Sequence, residues 1–331
     1  MSSVLILGGT AWLGSHLAEF AQASGHDVTC LARGASGAVP EGVRLVHADR
    51  NSPTAYAPLT GRDWDAVIDL TWQPGFAAWA LDALGERASH WTYVSSISVY
   101  RGADQQELSG AVHDPWAGTS ATMEEYGQAK AACEASVSAM TGDRALIVRP
   151  GLIGGPGDPS DRFGYWPAAF ARGGTGPVLA PPTAGRLTQT IDVRDLAAWV
   201  VALTAEGRTG AFNAVGATTT LADVLDIAAA TADCRGERVE VDEAFLDEHG
   251  VGPWSGPRSL PLWLPSSDIG EFGATPGAAA ADAGLVLRPL SETTRDVLED
   301  ERFRGLDRAR RAGLTRAEER ELIDRWCAER R

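Results

Sequence analysis

Val4-Leu5-Ile6-Leu7-Gly8-Gly9-Thr10-Ala11-Trp12-Leu13-Gly14 is a short run of apolar residues closed by a glycine-rich turn. A continuous apolar run of this kind is expected of a strand buried on both faces. Ser15 to Ser24 reads as the helix that follows, with Gly25 as its C-cap. Asp27 to Ala32 reads as a second strand. Strand, glycine turn, helix and strand make the βαβ unit that holds a dinucleotide, with its pyrophosphate at the helix N-terminus. Gly8, Thr10, Ala11, Trp12, Leu13 and Gly14 are therefore candidate cofactor residues.

The end of the second strand bears on cofactor choice. A carboxylate there would accept hydrogen bonds from a ribose 2′-hydroxyl and indicate NAD. Here the chain reads Ala32-Arg33-Gly34. A guanidinium with no acid beside it fits a 2′-phosphate, hence NADP, with NAD as the alternative. The competing reading of Arg33 is a solvated surface residue.

Working outward, Arg44 to Asp49 reads as a third strand, with Asp49 and Arg50 placed to meet an adenine edge. Ala66 to Thr71 reads as a fourth, ending at Leu70 and Thr71, and Trp72-Gln73-Pro74-Gly75 opens a loop over the ligand crevice. His90 to Val94 is a fifth strand running into Ser95-Ser96-Ile97-Ser98-Val99-Tyr100, and Ala145 to Val148 a sixth before Arg149-Pro150-Gly151. Strands alternating with helices predict an α/β fold: a doubly wound parallel Rossmann sheet with helices on both faces and ligands at the carboxyl ends of the strands.

Between the fifth and sixth strands stands Tyr126-Gly127-Gln128-Ala129-Lys130. Lysine and arginine together number 29, and Lys130 is the sole lysine. Four residues apart on a helix, Tyr126 and Lys130 share a face. A neighbouring ammonium favours a phenolate and makes a tyrosine a usable acid or base.

These stretches resemble the extended, atypical short-chain dehydrogenase/reductase superfamily, in its NAD(P)-dependent epimerase/dehydratase branch. The resemblance rests on Gly8-Gly9-Thr10 before a helix, Ser95-Ser96 after the fifth strand, Tyr126-x-x-x-Lys130, and Thr190-Ile191-Asp192-Val193-Arg194-Asp195-Leu196. It covers about residues 1 to 216. It implies that Tyr126 moves the proton of the substrate oxygen, that Lys130 binds the nicotinamide ribose and tunes Tyr126, and that Ser96 holds that oxygen. Ser96 is favoured over Ser95 by its distance from Val99-Tyr100. Trp72, Gln73, Tyr100 and Trp166 are further candidates for substrate contact, and Pro150 for cofactor contact. The family's glycine spacing would place a third glycine at position 11, where this chain has Ala11.

The resemblance also implies that members which dehydrate or decarboxylate nucleotide sugars carry an extra acid or base, commonly Asp or Glu, just after the active-site Ser or Thr. Ile97 and Ser98 follow Ser96, and neither moves a proton at neutral pH. Hydride transfer to or from a carbonyl or alcohol of a small molecule needs Ser, Tyr, Lys and cofactor, and is the first reading. An epimerase that recycles its cofactor and a non-catalytic nucleotide-binding protein are the alternatives. Thr188-Gln189 stands roughly where relatives that grip a nucleoside diphosphate carry an arginine, which argues against a nucleotide-sugar substrate.

Residues 1–150 are expected to form the nucleotide-binding core and 151–331 mainly a substrate lobe, with 187–216 returning to complete the sheet. In the later part Thr220, Ser291 and Thr315 are expected to cap helices. A net charge of −15 argues against a nucleic-acid partner. Cys30, Cys133, Cys234 and Cys327 show no metal-ligand spacing. The chain shows neither a long apolar span nor a signal peptide, so a cytoplasmic protein is expected. A homodimer is what the resemblance implies.

Overall fold

A computed structural model describes every residue except Met1, Ala103, Leu108, 269–272 and Arg331. The chain divides into two units. The first contains Met1–Gly151, Val193–Val215 and Thr275–Val286. Its strands are β1 (Ser3–Leu7), β2 (Asp27–Ala32), β3 (Arg44–His47), β4 (Trp64–Asp69), β5 (Ala88–Val94), β6 (Ala145–Pro150) and β7 (Gly210–Ala214). Its helices are α1 (Trp12–Ala23), α2 (Pro74–Leu84), α3 (Tyr126–Thr141), α4 (Val193–Ala205) and α5 (Ala278–Asp282). The strands form one seven-stranded sheet in the order β7-β6-β5-β4-β1-β2-β3, and every pairing is parallel. All the carboxyl ends therefore lie on one edge.

The predicted doubly wound sheet is present, and the apolar runs explain why. Leu5, Ile6, Leu7, Val67, Ile68, Leu146 and Val148 are each buried, as strands covered on both faces require. On one face Leu5, Leu7, Val67, Trp91 and Tyr93 pack with Leu81, Leu84 and Val137 from α2 and α3. Burying one such side chain contributes roughly 1.5–3 kcal/mol.

Several boundaries differ from the sequence reading. α1 begins at Trp12, three residues before Ser15, because the glycine turn leads directly into the helix. β3 ends at His47 and β4 at Asp69, leaving Asp49 and Thr71 beyond the strands. The sequence reading did not assign the second return, Thr275–Val286, to this unit.

The second unit contains Leu152–Asp192, Gly216–Ala274 and Leu287–Arg331. It has short two-stranded pairs and the helices Arg162–Gly173, Leu221–Thr231, Glu243–Glu248, Leu290–Arg304 and Arg316–Glu329. Phe163, Tyr165, Trp166, Phe170, Leu225, Leu246, Trp263 and Leu322 belong to its core. Thr220 and Thr315 cap their helices, the latter in a reciprocal capping box with Glu318. Ser291 does not. It sits inside the helix that Pro289 precedes, where proline's fixed φ starts the turn. Among the described residues no helix is long and apolar enough to cross a membrane.

Candidate active site

The glycine turn joins β1 to α1 at the carboxyl edge. Gly8 has a φ of +104°, which an L side chain rarely tolerates. A Cβ on Gly14 would lie 2.3 Å from the Gly8 carbonyl oxygen, so only glycine lets the first turn of the helix close onto the strand. Ala11 has a φ of −74°, open to any residue, and its side chain is exposed. The backbone therefore needs no glycine at position 11.

Ala11 offers no side-chain cap, and no acidic residue occupies the first turn of α1. The first-turn amides of Leu13 and Gly14 make no hydrogen bond among the described residues and suit an anion, and the helix dipole adds positive potential. These residues fit the pyrophosphate of a dinucleotide. Thr10 is buried beside the turn, and Trp12 meets His16 edge-on at 6.3 Å. Arg33, one residue past β2, is exposed and makes no hydrogen bond or ion pair among the described residues.

Arg50 is placed differently from the sequence reading. Its guanidinium grips Asp69 with both ends, at 2.7 and 2.9 Å, and donates to the Tyr56 hydroxyl at 2.9 Å and the Phe76 carbonyl at 3.2 Å. Arg50 is 9% exposed and Asp69 0%. The pair is internal, because an unpaired charge at the end of β4 would cost several kcal/mol. Asp49 is exposed and accepts from Asn51, as a turn anchor does.

Beyond β4, Leu70 lies 3.7 Å from the place a Cβ on Gly8 would take. The Thr71 amide donates to Asp69, and the Thr71 hydroxyl accepts from the Gln73 amide. Gln73 forms a reciprocal amide pair with the backbone of Ala121, at 3.0 and 2.9 Å. That pair ties the start of α2 to the loop leading into α3, so Gln73 positions rather than presents.

α3 begins at Tyr126. A Cβ on Gly127 would lie 2.3 Å from the Ser98 carbonyl oxygen, so glycine allows this turn to press against the turn that follows β5. Tyr126 is half-buried, its ring 5.7 Å from that of Trp72. Its hydroxyl makes no hydrogen bond among the described residues. Ser96 heads the Ile97–Val99 turn, accepting from the Ser98 amide and donating to the Ser98 hydroxyl, each at 3.1 Å.

Lys130 is 3% exposed. Its ammonium donates to the carbonyls of Val94 at 2.6 Å and Thr71 at 3.0 Å, and lies 5.0 Å from the Tyr93 ring centroid. The Tyr93 hydroxyl shares the Thr71 carbonyl at 2.9 Å. Burial pushes the Tyr93 phenol well above its usual pKa, so it stays a donor. Burial likewise pushes the Cys133 thiol to about 11, which makes it inert near neutral pH. Among the described residues no hydrogen bond joins Lys130 to Tyr126.

The remaining candidates sit in packed surroundings. The Tyr100 hydroxyl donates to Asn213 and accepts from Arg149, each at 2.8 Å, and Arg149 pairs with buried Glu134. Trp166 is 0% exposed in the second unit, its indole donating to the Pro261 carbonyl. Pro150 ends β6 opposite Ala214. Tyr93, Asp69 and Gly127 were not singled out from the sequence. The signals available were an acid closing an apolar strand and a glycine inside the Tyr-x-x-x-Lys spacing. Among the described residues no cluster of His, Cys, Asp or Glu could hold a metal ion.

Residues 4–85 match the model of the NAD dependent epimerase/dehydratase family. A 2'-dehydrokanamycin reductase of Streptomyces kanamyceticus is 33% identical over 192 residues, 55% of this chain and 53% of that protein. The chain thus spans about half the length of the curated relative it matches. A UDP-N-acetylglucosamine 4-epimerase from Bacillus cereus superposes with a TM-score of 0.64 at 18% identity, over 95% of this chain and 100% of that one. The UDP-glucose 4-epimerase of Thermus thermophilus, solved with NAD, gives 0.64 at 18% identity over 91% and 99%. By its glycine turn and its fold, the chain resembles the extended short-chain dehydrogenase/reductase enzymes of the NAD dependent epimerase/dehydratase family, whose model its residues 4–85 match.

Proposed function

We propose that the protein is an NADP-dependent oxidoreductase that moves hydride to or from a carbonyl or alcohol of a small molecule. The observation that carries this reading is the placement of Lys130. The chain's one lysine is buried with its ammonium on the carbonyls of Val94 and Thr71, one helical turn from a tyrosine whose hydroxyl makes no hydrogen bond among the described residues. A buried amine needs such partners, and a free phenol beside it has a proton to give.

The nicotinamide, when bound, supplies or accepts the hydride. The amides of Leu13 and Gly14 hold the pyrophosphate, and Arg33 pairs with the 2′-phosphate. Tyr126 gives its hydroxyl proton to the substrate oxygen during reduction and takes it back during oxidation. Ser96 turns its hydroxyl from Ser98 to that oxygen. Lys130, on the same helix, binds the nicotinamide ribose. The second unit, with residues 152–192 at its start, is the substrate lobe in this reading. Similarity to a reductase acting on 2'-dehydrokanamycin supports the reductive direction and makes dehydro-sugars the first substrates to try.

The test is NADPH and NADH oxidation against a panel of ketones, dehydro-sugars included, with Tyr126→Phe as the control. Net consumption that disappears in Tyr126→Phe supports the proposal. Turnover of a sugar epimer without net consumption, with nicotinamide released on denaturation, replaces it with the epimerase reading. That second reading is favoured by the fold shared with two solved 4-epimerases.

A further inference from the structure

A cavity of 350 Å³ opens inside the first unit at the amino-terminal edge of the sheet, opposite the glycine turn. Its floor is apolar, built from Val4 on β1, Ala66 and Ile68 on β4, and Val201 on α4. None of the residues discussed for the candidate active site lines it.

The surroundings bear on the sign of the charge it favours. α1 and α4 both end here, contributing Ala21 and Ala205, and neither has a basic residue in its last turn. The carboxyl end of a helix carries partial negative charge, reduced here because the amides of Gly25, His26, Gly207 and Arg208 cap the carbonyls of Gln22, Ala21, Thr204 and Leu203. Asp65 and Asp143 add two carboxylates at the rim, Asp65 through its second oxygen, since Oδ2 already accepts from the Ser3 amide and hydroxyl. Arg144 also lines the cavity and keeps its positive charge while one terminal nitrogen donates to the carbonyls of Gly85 and Ala88, so the carboxylates exceed it by one.

Two imidazoles bring unused hydrogen-bonding capacity. The Nδ1 atom of His26 has no partner among the described residues, though it is covered and would need a ring rotation to reach the cavity. His90 is 6% exposed and joined through Nε2 to Thr92 at 3.2 Å, and Thr92 to Thr204 at 2.8 Å. When Thr92 donates to Thr204, His90 carries its proton on Nε2 and keeps a lone pair on Nδ1. A neutral imidazole so held accepts from an ammonium group. A spare imidazole lone pair beside an apolar floor suits a small organic ligand.

We infer that this cavity is a second small-molecule site, taking a compact organic ammonium whose apolar body rests on Val4, Ala66, Ile68 and Val201 while its charged head meets Asp65, Asp143 and the helix ends. The site is separate from cofactor and substrate binding and does not depend on the oxidoreductase reading.

Titration calorimetry with phenethylamine, phenethyl alcohol and phenylacetate tests it. Phenethylamine binds saturably, the alcohol binds more weakly and the carboxylate does not bind. Asp143→Asn weakens phenethylamine roughly threefold, the scale of a rim ion pair. Ala205→Trp, at an exposed helix end, fills the mouth and removes binding. Thr209→Trp on the exposed rim gives the same reading should Ala205→Trp fail to fold. Equal affinity for phenylacetate, wild-type affinity in both tryptophan variants, or no saturable heat from phenethylamine would overturn the assignment.

Discussion

The ammonium of Lys130 lies 2.6 Å from the carbonyl oxygen of Val94, the last residue of β5. A side chain from α3 thereby closes the hydrogen bonding of the strand's carboxyl end. Because the lysine is 3% exposed, truncation takes a donor from the Val94 carbonyl, while the Thr71 carbonyl keeps the Tyr93 hydroxyl. Lys130→Ala should lower stability by roughly 1–3 kcal/mol in urea unfolding. Lys130→Arg should not restore turnover, because a planar fork cannot occupy the place of a compact ammonium. A Lys130→Arg enzyme with normal activity would contradict this.

Tyr126 should separate chemistry from stability. Its hydroxyl makes no hydrogen bond among the described residues, while its ring rests against Trp72. Tyr126→Phe keeps the ring, so the melting temperature should hold while kcat falls by roughly 10²–10⁴, the usual contribution of a positioned acid. Parallel melting and turnover measurements on the purified variant decide it.

The βαβ unit was readable because its physics is local. Val4 to Leu7 must be apolar in a strand covered on both faces, and Gly8 must accept a positive φ. The tyrosine-lysine spacing was readable for the same reason, since a helix sets which residues share a face. Partners across the chain were not. Arg50 looked free for adenine because nothing near it in sequence announces Asp69, 19 residues on and buried in the sheet. Tyr100 looked available to a substrate, yet its hydroxyl meets Asn213, 113 residues away. Such pairings follow from strand order, which composition and periodicity leave open. The return of Thr275–Val286 to the first unit was hidden for that reason too.

Arg33 stands exposed without a partner among the described residues, so its removal should not touch the fold. Arg33→Ala is expected to stay within about 0.5 kcal/mol of wild-type stability. NADPH should bind more tightly than NADH to the wild type, and Arg33→Ala should erase the preference by weakening NADPH alone. Nicotinamide fluorescence titrations read both constants. An unchanged preference would place the 2′-phosphate elsewhere.

Gly127 sets how closely α3 approaches the turn after β5. A Cβ would lie 2.3 Å from a backbone oxygen, which cannot rotate away, so Gly127→Ala must shift one element from the other. The strain expected is about 1–3 kcal/mol. Moving Tyr126 from Ser96 by a fraction of an ångström should reduce kcat by up to roughly 10²-fold. Cofactor affinity should change less, because the glycine turn lies on other elements. Equal losses in NADPH binding and in kcat would show a general loss of structure instead.

His90 should make stability depend on pH in a window of its own. Burial lowers its pKa below the ordinary 6.5. The unfolded chain therefore takes up a proton near pH 6.5 while the folded chain still refuses it. The stabilisation is fully present above that value and is lost as pH falls toward the folded pKa. The carboxyls of Glu125, Asp161, Glu243 and Glu318, held below their ordinary values by hydrogen bonds or arginine pairs, lose their contribution only at lower pH. Burial raises the carboxyls of Asp158 and Glu319, which take up protons earlier in the folded chain and so act in the opposite direction. A loss of stability between pH 7 and 5 is thus assigned to His90, and comparison with a variant cancels the carboxyls. His90→Gln can still reach Thr92 but cannot titrate, so its urea midpoint should fall less across that range than the wild type's. An equal slope in the two proteins would mean that another group takes up the proton.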